Sequence, residues 1–208
     1  MNSRIPIFPL NLVMYPGAIY PLHIFEERYK KLINFCRTTD QGFGIVSKID
    51  TSISTIGCYV KLVEVINVFE NGSMDILVKG VERFQTVSTK LHDSGYIVAD
   101  IVPYIDDEQY LRPAQIEDTT VGKFKNILNR TAIEFDKKYW INFEKAEYKS
   151  YKIAEKSGMN LKQQQSLLSL RSEMDRLRFL FEHFQKLEEF LDRTEVLKDI
   201  IAGDGYIN

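Results

Sequence analysis

Few of the residues that staple, span or catalyse are present in these 208 residues. The two cysteines, Cys36 and Cys58, are too few for a disulfide framework and point to a reducing compartment. The histidines His23, His92 and His183 are scattered, with no His or Cys at ligand spacing, so no zinc site is readable. No apolar run approaches the roughly 20 residues that span a bilayer. The opening Met-Asn-Ser-Arg-Ile-Pro-Ile-Phe-Pro lacks both the apolar core and the small-residue cleavage site of a secretory signal. A cytoplasmic protein with no membrane segment is expected. The sequons at Asn71-Gly72-Ser73 and Asn129-Arg130-Thr131 are then chance matches. Charge of one sign is also lacking: 27 basic and 29 acidic residues leave a net charge of -2. That balance speaks against nucleic acid as the main partner, because phosphate binding needs a basic surplus or a clustered basic face.

The motifs of enzymes are absent in the same way. Gly122-Lys123 is followed by Phe124 and has no upstream glycine, so there is no phosphate loop. Gly42-x-Gly44 lacks the third glycine and opening helix of a dinucleotide site, and no Gly-x-Ser-x-Gly elbow occurs. Cys36 falls on an apolar helical stripe and Cys58 begins a strand, where a thiol is ordinarily buried and inert. Glu26 and Glu27 fit the first turn of a helix, where negative charge is favoured. Glu188, Glu189 and Asp192 fit a solvated helix face. Lys137-Lys138-Tyr139-Trp140 and Lys149-Tyr151-Lys152 interleave bases and aromatics as a nucleic-acid groove does, but Asp136, Glu144, Glu147 and Glu155 dilute that field. No catalytic residue, metal or cofactor is expected.

What is present changes character near residue 105. Before it, glycines are frequent and apolar residues often alternate. Residues 5–8 read as a strand that Pro9 keeps at an edge or end. Tyr15-Pro16-Gly17-Ala18 has the pattern of a type II turn, and a strand follows over 18–24. Phe25, Tyr29, Leu32, Ile33 and Cys36 recur at helical intervals, with Phe25 and Tyr29 expected to pack inward. Residues 60–69 and 74–81 flank Asn71-Gly72, the signal of a type I′ hairpin. Further strands are expected at 83–89 and 96–104. Beyond a linker over 106–113, one helix carries Val121, Phe124, Leu128, Thr131 and Phe135. A short helix over 151–156 ends before Gly158, read as its C′ residue. Asn160 with Gln163 forms a capping box, and Ser172 with Asp175 opens the last helix. That helix bears Met174, Leu177, Phe181, Phe184, Leu187 and Leu191, with Val196 and Ile200 as its continuation. It would reach roughly 40 Å, long enough for its end to project or meet a partner.

Ile5-Pro6-Ile7-Phe8-Pro9-Leu10-Asn11, Tyr15-Pro16-Gly17 and Pro21-Leu22-His23-Ile24-Phe25-Glu26-Glu27-Arg28-Tyr29 resemble the opening of the Lon protease N-terminal domain. Tyr15 stands where that family has Phe. Thr55-Ile56-Gly57-Cys58, Asn71-Gly72-Ser73 and Lys79-Gly80-Val81-Glu82-Arg83-Phe84 resemble its later strands and hairpin turn. Ile153-Ala154-Glu155, Lys162-Gln163-Gln164-Gln165-Ser166-Leu167-Leu168 and Asp175-Arg176-Leu177 resemble its late helices. The resemblance implies an α+β fold: a PUA-like curled sheet or pseudo-barrel with one inserted helix over 1–105, then a helical bundle over 106–208 ending in a long helix. The bacterial-type protease carries ATPase and Ser–Lys peptidase modules after this region. The chain ends at Asn208 without them, so a stand-alone member without catalysis is expected.

By this resemblance the chain is expected to hold unfolded or exposed apolar protein segments in protein quality control, with a separate protease or adaptor as a further partner. Tyr15, Tyr20, Phe43, Phe69 and Tyr104, near turns and strand ends, are the candidate peptide contacts. The motif residues Pro9, Pro16, Gly17, Pro21, Phe25, Glu26, Arg28, Tyr29, Gly80, Arg83 and Phe84 are expected to be structural, with Glu26 and Arg28 pairing to backbone or to strands such as the one carrying Arg83. An RNA-binding PUA-like protein and an uncharacterised enzyme are the alternatives. The ligand and oligomeric state are not legible.

Overall fold

The computed structural model describes residues 3–107 and 114–203, with side chains through Thr194. In chain order the elements are β1 (Ser3–Leu10), β2 (Ile19–Ile24), α1 (Glu27–Thr39), β3 (Phe43–Ile49), β4 (Ser52–Val68), β5 (Met74–Leu91), β6 (Ile97–Pro103), α2 (Ala114–Thr131), α3 (Lys137–Lys145), α4 (Lys149–Ala154), α5 (Leu161–Ser169) and α6 (Glu173–Gly203). The fold is mixed α+β with a six-stranded sheet. Two compact units form, one from residues 1–108 and 158–171, the other from 109–157 and 172–208. A single cut at residue 105 therefore misplaces α5, which belongs with the strands. Of the expected linker, residues 108–113 lie outside the described residues.

In the first unit the strand order is β2-β5-β4-β3-β1-β6, and β6 also pairs with β5. The second pairing curls five strands into a closed ring, which removes most edges. β2 lies outside the ring on the first half of β5, and β6 takes the same side of its second half. The strands expected at 74–81 and 83–89 are one 18-residue strand, and 60–69 is the end of a 17-residue one. Register shifts along their pairing let both bend without breaking. Glycine lets β5 pass close to the turn before β2: a Cβ on Gly80 would lie 2.1 Å from the Tyr15 carbonyl oxygen. β1 is interior rather than at an edge, but Pro9 does fall at its end, one residue before Leu10. It pairs with β6 over residues 3–7 and with β3 over 7–10, so each proline faces a ladder on one side only.

The β4–β5 turn is not type I′. Gly72 has φ 74° but Asn71 is not left-handed. Gly72 N–H donates to Phe69 C=O at 2.8 Å and Phe69 N–H to Ser73 C=O at 2.9 Å, a three-residue loop closed by a left-handed glycine. α5 docks on β3 and β4 through Gln165, which accepts from Ser47 Oγ at 2.6 Å and donates to Ile56 C=O at 3.1 Å. Arg83 anchors the end of α5, donating to the Leu168 and Leu170 carbonyls at 2.7 and 2.5 Å and pairing with Asp106.

In the second unit α2 and α6 pack through Phe124 and Phe184, ring centroids 5.6 Å apart. The expected helix through Phe135 stops at Thr131, because Ala132 turns left-handed at φ 51°. α3 is a helix that the aromatic, β-favouring Tyr139-Trp140-Ile141-Asn142-Phe143 conceals in the sequence. Its N-cap is Asp136, whose carboxylate accepts from Tyr139 N–H at 2.7 Å. α4 ends at Ala154, so Gly158 is not its C′ residue, although its φ is 71°. The Asn160–Gln163 capping box forms as expected. On α6, Leu177, Leu180 and Phe184 are buried, whereas Met174, Phe181, Leu187 and Leu191 are only half-buried. Arg176 is also buried, held by Glu173 and Ser150. The stripe's continuation at Val196 and Ile200 lies outside the described side chains.

Candidate functional site

β2 alternates its faces. Ile24 packs inward beside Met74, while Pro21 and His23 point outward with Leu77 and Asp75 of β5 opposite them. Asn67 of β4 faces Asp75 from the other side, so His23, Asp75 and Asn67 form one row across three strands. His23 Nδ1 donates to Asp75 Oδ1 at 2.7 Å, and Asn67 Nδ2 donates to Asp75 Oδ2 at 3.2 Å. These two hydrogen bonds hold the Asp75 carboxyl below its ordinary range.

Two aromatic rings bracket this row. Phe25, immediately past β2, stacks on His23 at 6.0 Å, and Phe69 at the hairpin tip meets the same ring edge-on at 5.8 Å. Phe25 is 64% exposed and Phe69 44% exposed. The inward packing expected of Phe25 is thus wrong: α1 begins only at Glu27, so Phe25 is not on its inner stripe. Ile19 and Pro21, both exposed, extend the apolar surface along β2. The hairpin tip is fixed by Lys30, whose Nζ donates to Asn71 C=O at 2.9 Å and to Glu27 at 2.8 Å. Glu26 and Arg28 pair with each other at the rim rather than with backbone or another strand.

β2 pairs only with β5 among the described residues. Gly80 N–H donates to Ala18 C=O, so the ladder groups of β2 that face β5 are those of Tyr20, Leu22 and Ile24. Pro21 then sits where its nitrogen faces away from β5. The missing N–H blunts this edge against addition of another strand.

The other expected contacts lie elsewhere. Tyr15 and Phe43 are core residues, 1% and 0% exposed, and present nothing to a peptide. Tyr20 is half-buried opposite Val78. Tyr104 is half-buried and tied down, its hydroxyl donating to Ser169 C=O at 2.8 Å with Arg83 over its ring. Among the five, Phe69 alone joins the aromatic cluster. Phe25 belongs to the cluster but was read as core. The signal available was the alternation of Pro21, His23 and Phe25, which carries the strand's outer face one residue past its end.

Of the remaining motif residues, Tyr29 is buried and stacks on Phe8 at 3.8 Å. Phe84 is buried beneath Gly44 and Gly57, and Pro16 and Gly17 shape the turn, Ala18 N–H donating to Tyr15 C=O at 3.1 Å. A His–Asp pair is the base half of a nucleophilic triad, but both thiols are buried in the core and pushed up to about 12 by desolvation. His183 is buried, its Nε2 2.8 Å from Ser157 C=O. Among the described residues no three His, Cys, Asp or Glu side chains converge to hold a metal, and no helix is long and apolar enough to cross a membrane.

The family model for the ATP-dependent protease La (LON) substrate-binding domain matches residues 4–186. A Lon protease of Flavobacterium johnsoniae is 24% identical over 207 residues, covering 88% of this chain and 24% of that protein. One from Endomicrobium trichonymphae is 25% identical, covering 54% of this chain and 15% of its own length. The chain thus spans a quarter or less of these relatives. A crystal structure of a Lon N-terminal domain protein from Xanthomonas campestris aligns with TM-score 0.64 and 26% identity, covering 86% of this chain and 98% of that one. The N-terminal domain of a Mycobacterium avium complex Lon protease aligns with TM-score 0.67 and 16% identity, covering 88% and 98%.

Proposed function

The chain belongs to the LON substrate-binding domain family, and from that membership we propose that it binds unfolded or exposed apolar protein segments without transforming them. The binding surface is the outer face of the β2–β5–β4 arm. The observation that carries this reading is Phe25: a large aromatic side chain held in water at 64% exposure, with His23 and Phe69 beside it and no core to enter. Clustered exposed rings rimmed by polar groups mark interaction surfaces, and aromatic residues dominate binding energy there. Pro21 at the outer edge favours side-chain recognition over strand addition. A role in cytoplasmic protein quality control, with a separate protease or adaptor receiving the bound segment, accords with the family. So does a PUA-like description of the curled sheet.

The test is fluorescence anisotropy with a labelled, reduced and carboxymethylated model protein that cannot refold. Phe25→Ala combined with Phe69→Ala is expected to weaken binding about tenfold or more at an unchanged melting temperature. Wild-type affinity in the double variant, or no binding by the parent chain, would overturn the proposal.

A further inference from the structure

The second unit holds a pocket remote in sequence from the arm. On α2, Lys125, Leu128 and Asn129 stand at i, i+3 and i+4 and share one face. Past the left-handed Ala132, Ile133 N–H donates back to Leu128 C=O at 3.0 Å, and Asp136 caps α3. The intervening Glu134 and Phe135 are therefore held between two fixed helix ends. With Trp140 of α3 these residues line a cavity of about 260 Å³.

Its chemistry is specific. The Phe135 and Trp140 rings pack against each other, centroids 6.5 Å apart and planes tilted by 47°, and with buried Leu128 they form an apolar floor. Lys125 Nζ sits 5.7 Å from the Trp140 ring centroid. Glu134 supplies the opposite charge, and neither Lys125 nor Glu134 has a countercharge among the described residues. The volume lies just below the about 300 Å³ at which drug-sized sites begin, enough for one ring with its substituents rather than an extended segment.

We propose that this pocket binds one aromatic amino-acid unit: the ring on the apolar floor of Phe135, Trp140 and Leu128, the carboxylate on Lys125, the N–H on Glu134. A free aromatic amino acid and the carboxyl-terminal residue of a polypeptide share this chemistry. The pocket uses no residue of the arm, so its binding is independent of Phe25 and Phe69.

Trp140 is the single tryptophan of the chain, which makes its emission a direct reporter. The full chain is titrated with L-phenylalanine, N-acetyl-L-phenylalanine and L-phenylalaninamide. A saturable emission change is expected with a carboxylate-bearing probe. Saturation by N-acetyl-L-phenylalanine assigns a chain terminus, and saturation by phenylalanine alone assigns the free amino acid. Phenylalaninamide should bind about tenfold more weakly, and Lys125→Ala should weaken the carboxylate-bearing probe by a similar factor. Because Lys125 is exposed, that variant should melt as the parent does. The proposal is overturned by the absence of saturation with both carboxylate probes up to about 10 mM, by equal binding of the amide, or by parental affinity in Lys125→Ala.

Discussion

Phe25 and Tyr29 lie four residues apart in one motif and have opposite fates. Tyr29 is buried on α1 against Phe8, whereas Phe25 stands in water. Stability should separate them. Tyr29→Ala is expected to cost about 3 kcal/mol in urea unfolding, because it removes a packed ring. Phe25→Ala should change stability by less than about 0.5 kcal/mol. A large loss from Phe25→Ala would mean that the ring is structural after all.

The thiols give a second test at this scale. Burial pushes Cys36 and Cys58 up to about 12, while an unfolded thiol titrates near about 8.5. Between these values the unfolded chain has released protons that the native chain retains, so stability falls as pH rises through that window. The thiols' contribution is fully present below it. Alkaline unfolding should therefore be less steep in the double variant Cys36→Ala, Cys58→Ala. A thiol reagent at pH 8 should label the urea-unfolded chain and spare the native one; rapid native labelling would refute the burial argument.

Among the elements, β5 shows how a long strand serves several neighbours. Its first half carries β2 and the aromatic arm, and its second half closes the ring through β6. Gly80 lies between these roles, with its N–H on Ala18 C=O and its C=O accepting from Gly17 N–H, both at 2.9 Å. A methyl group there meets backbone rather than a yielding side chain. Gly80→Ala is expected to cost at least about 3 kcal/mol in chemical denaturation. A cost below about 1 kcal/mol would show that the turn can yield. In the helical unit, by contrast, α3 owes its start to one carboxylate, Asp136, and its inner face to Tyr139 and Phe143.

For the molecule as a whole, the near-neutral charge predicts the kind of binding. The proposed attachment through Phe25, Phe69, Ile19 and Pro21 would release few counterions, so affinity for an unfolded model protein should change less than about threefold between 50 and 500 mM salt. A log–log slope of several units would instead mark binding through phosphates or clustered charge.

Local features were legible in the chain alone: the turn at Tyr15–Ala18, the capping box at Asn160, the α1 stripe from Tyr29 to Cys36 and the family motifs. Each depends on residues within about one turn of one another, where φ preference and hydrogen-bonding side chains suffice. Which faces are covered was settled by long-range packing. It buried Tyr15 and Phe43, left Phe25 in water, put prolines in an interior strand and gave α5 to the sheet. Those outcomes depend on partners as distant as Leu168 is from Arg83, which no local period encodes.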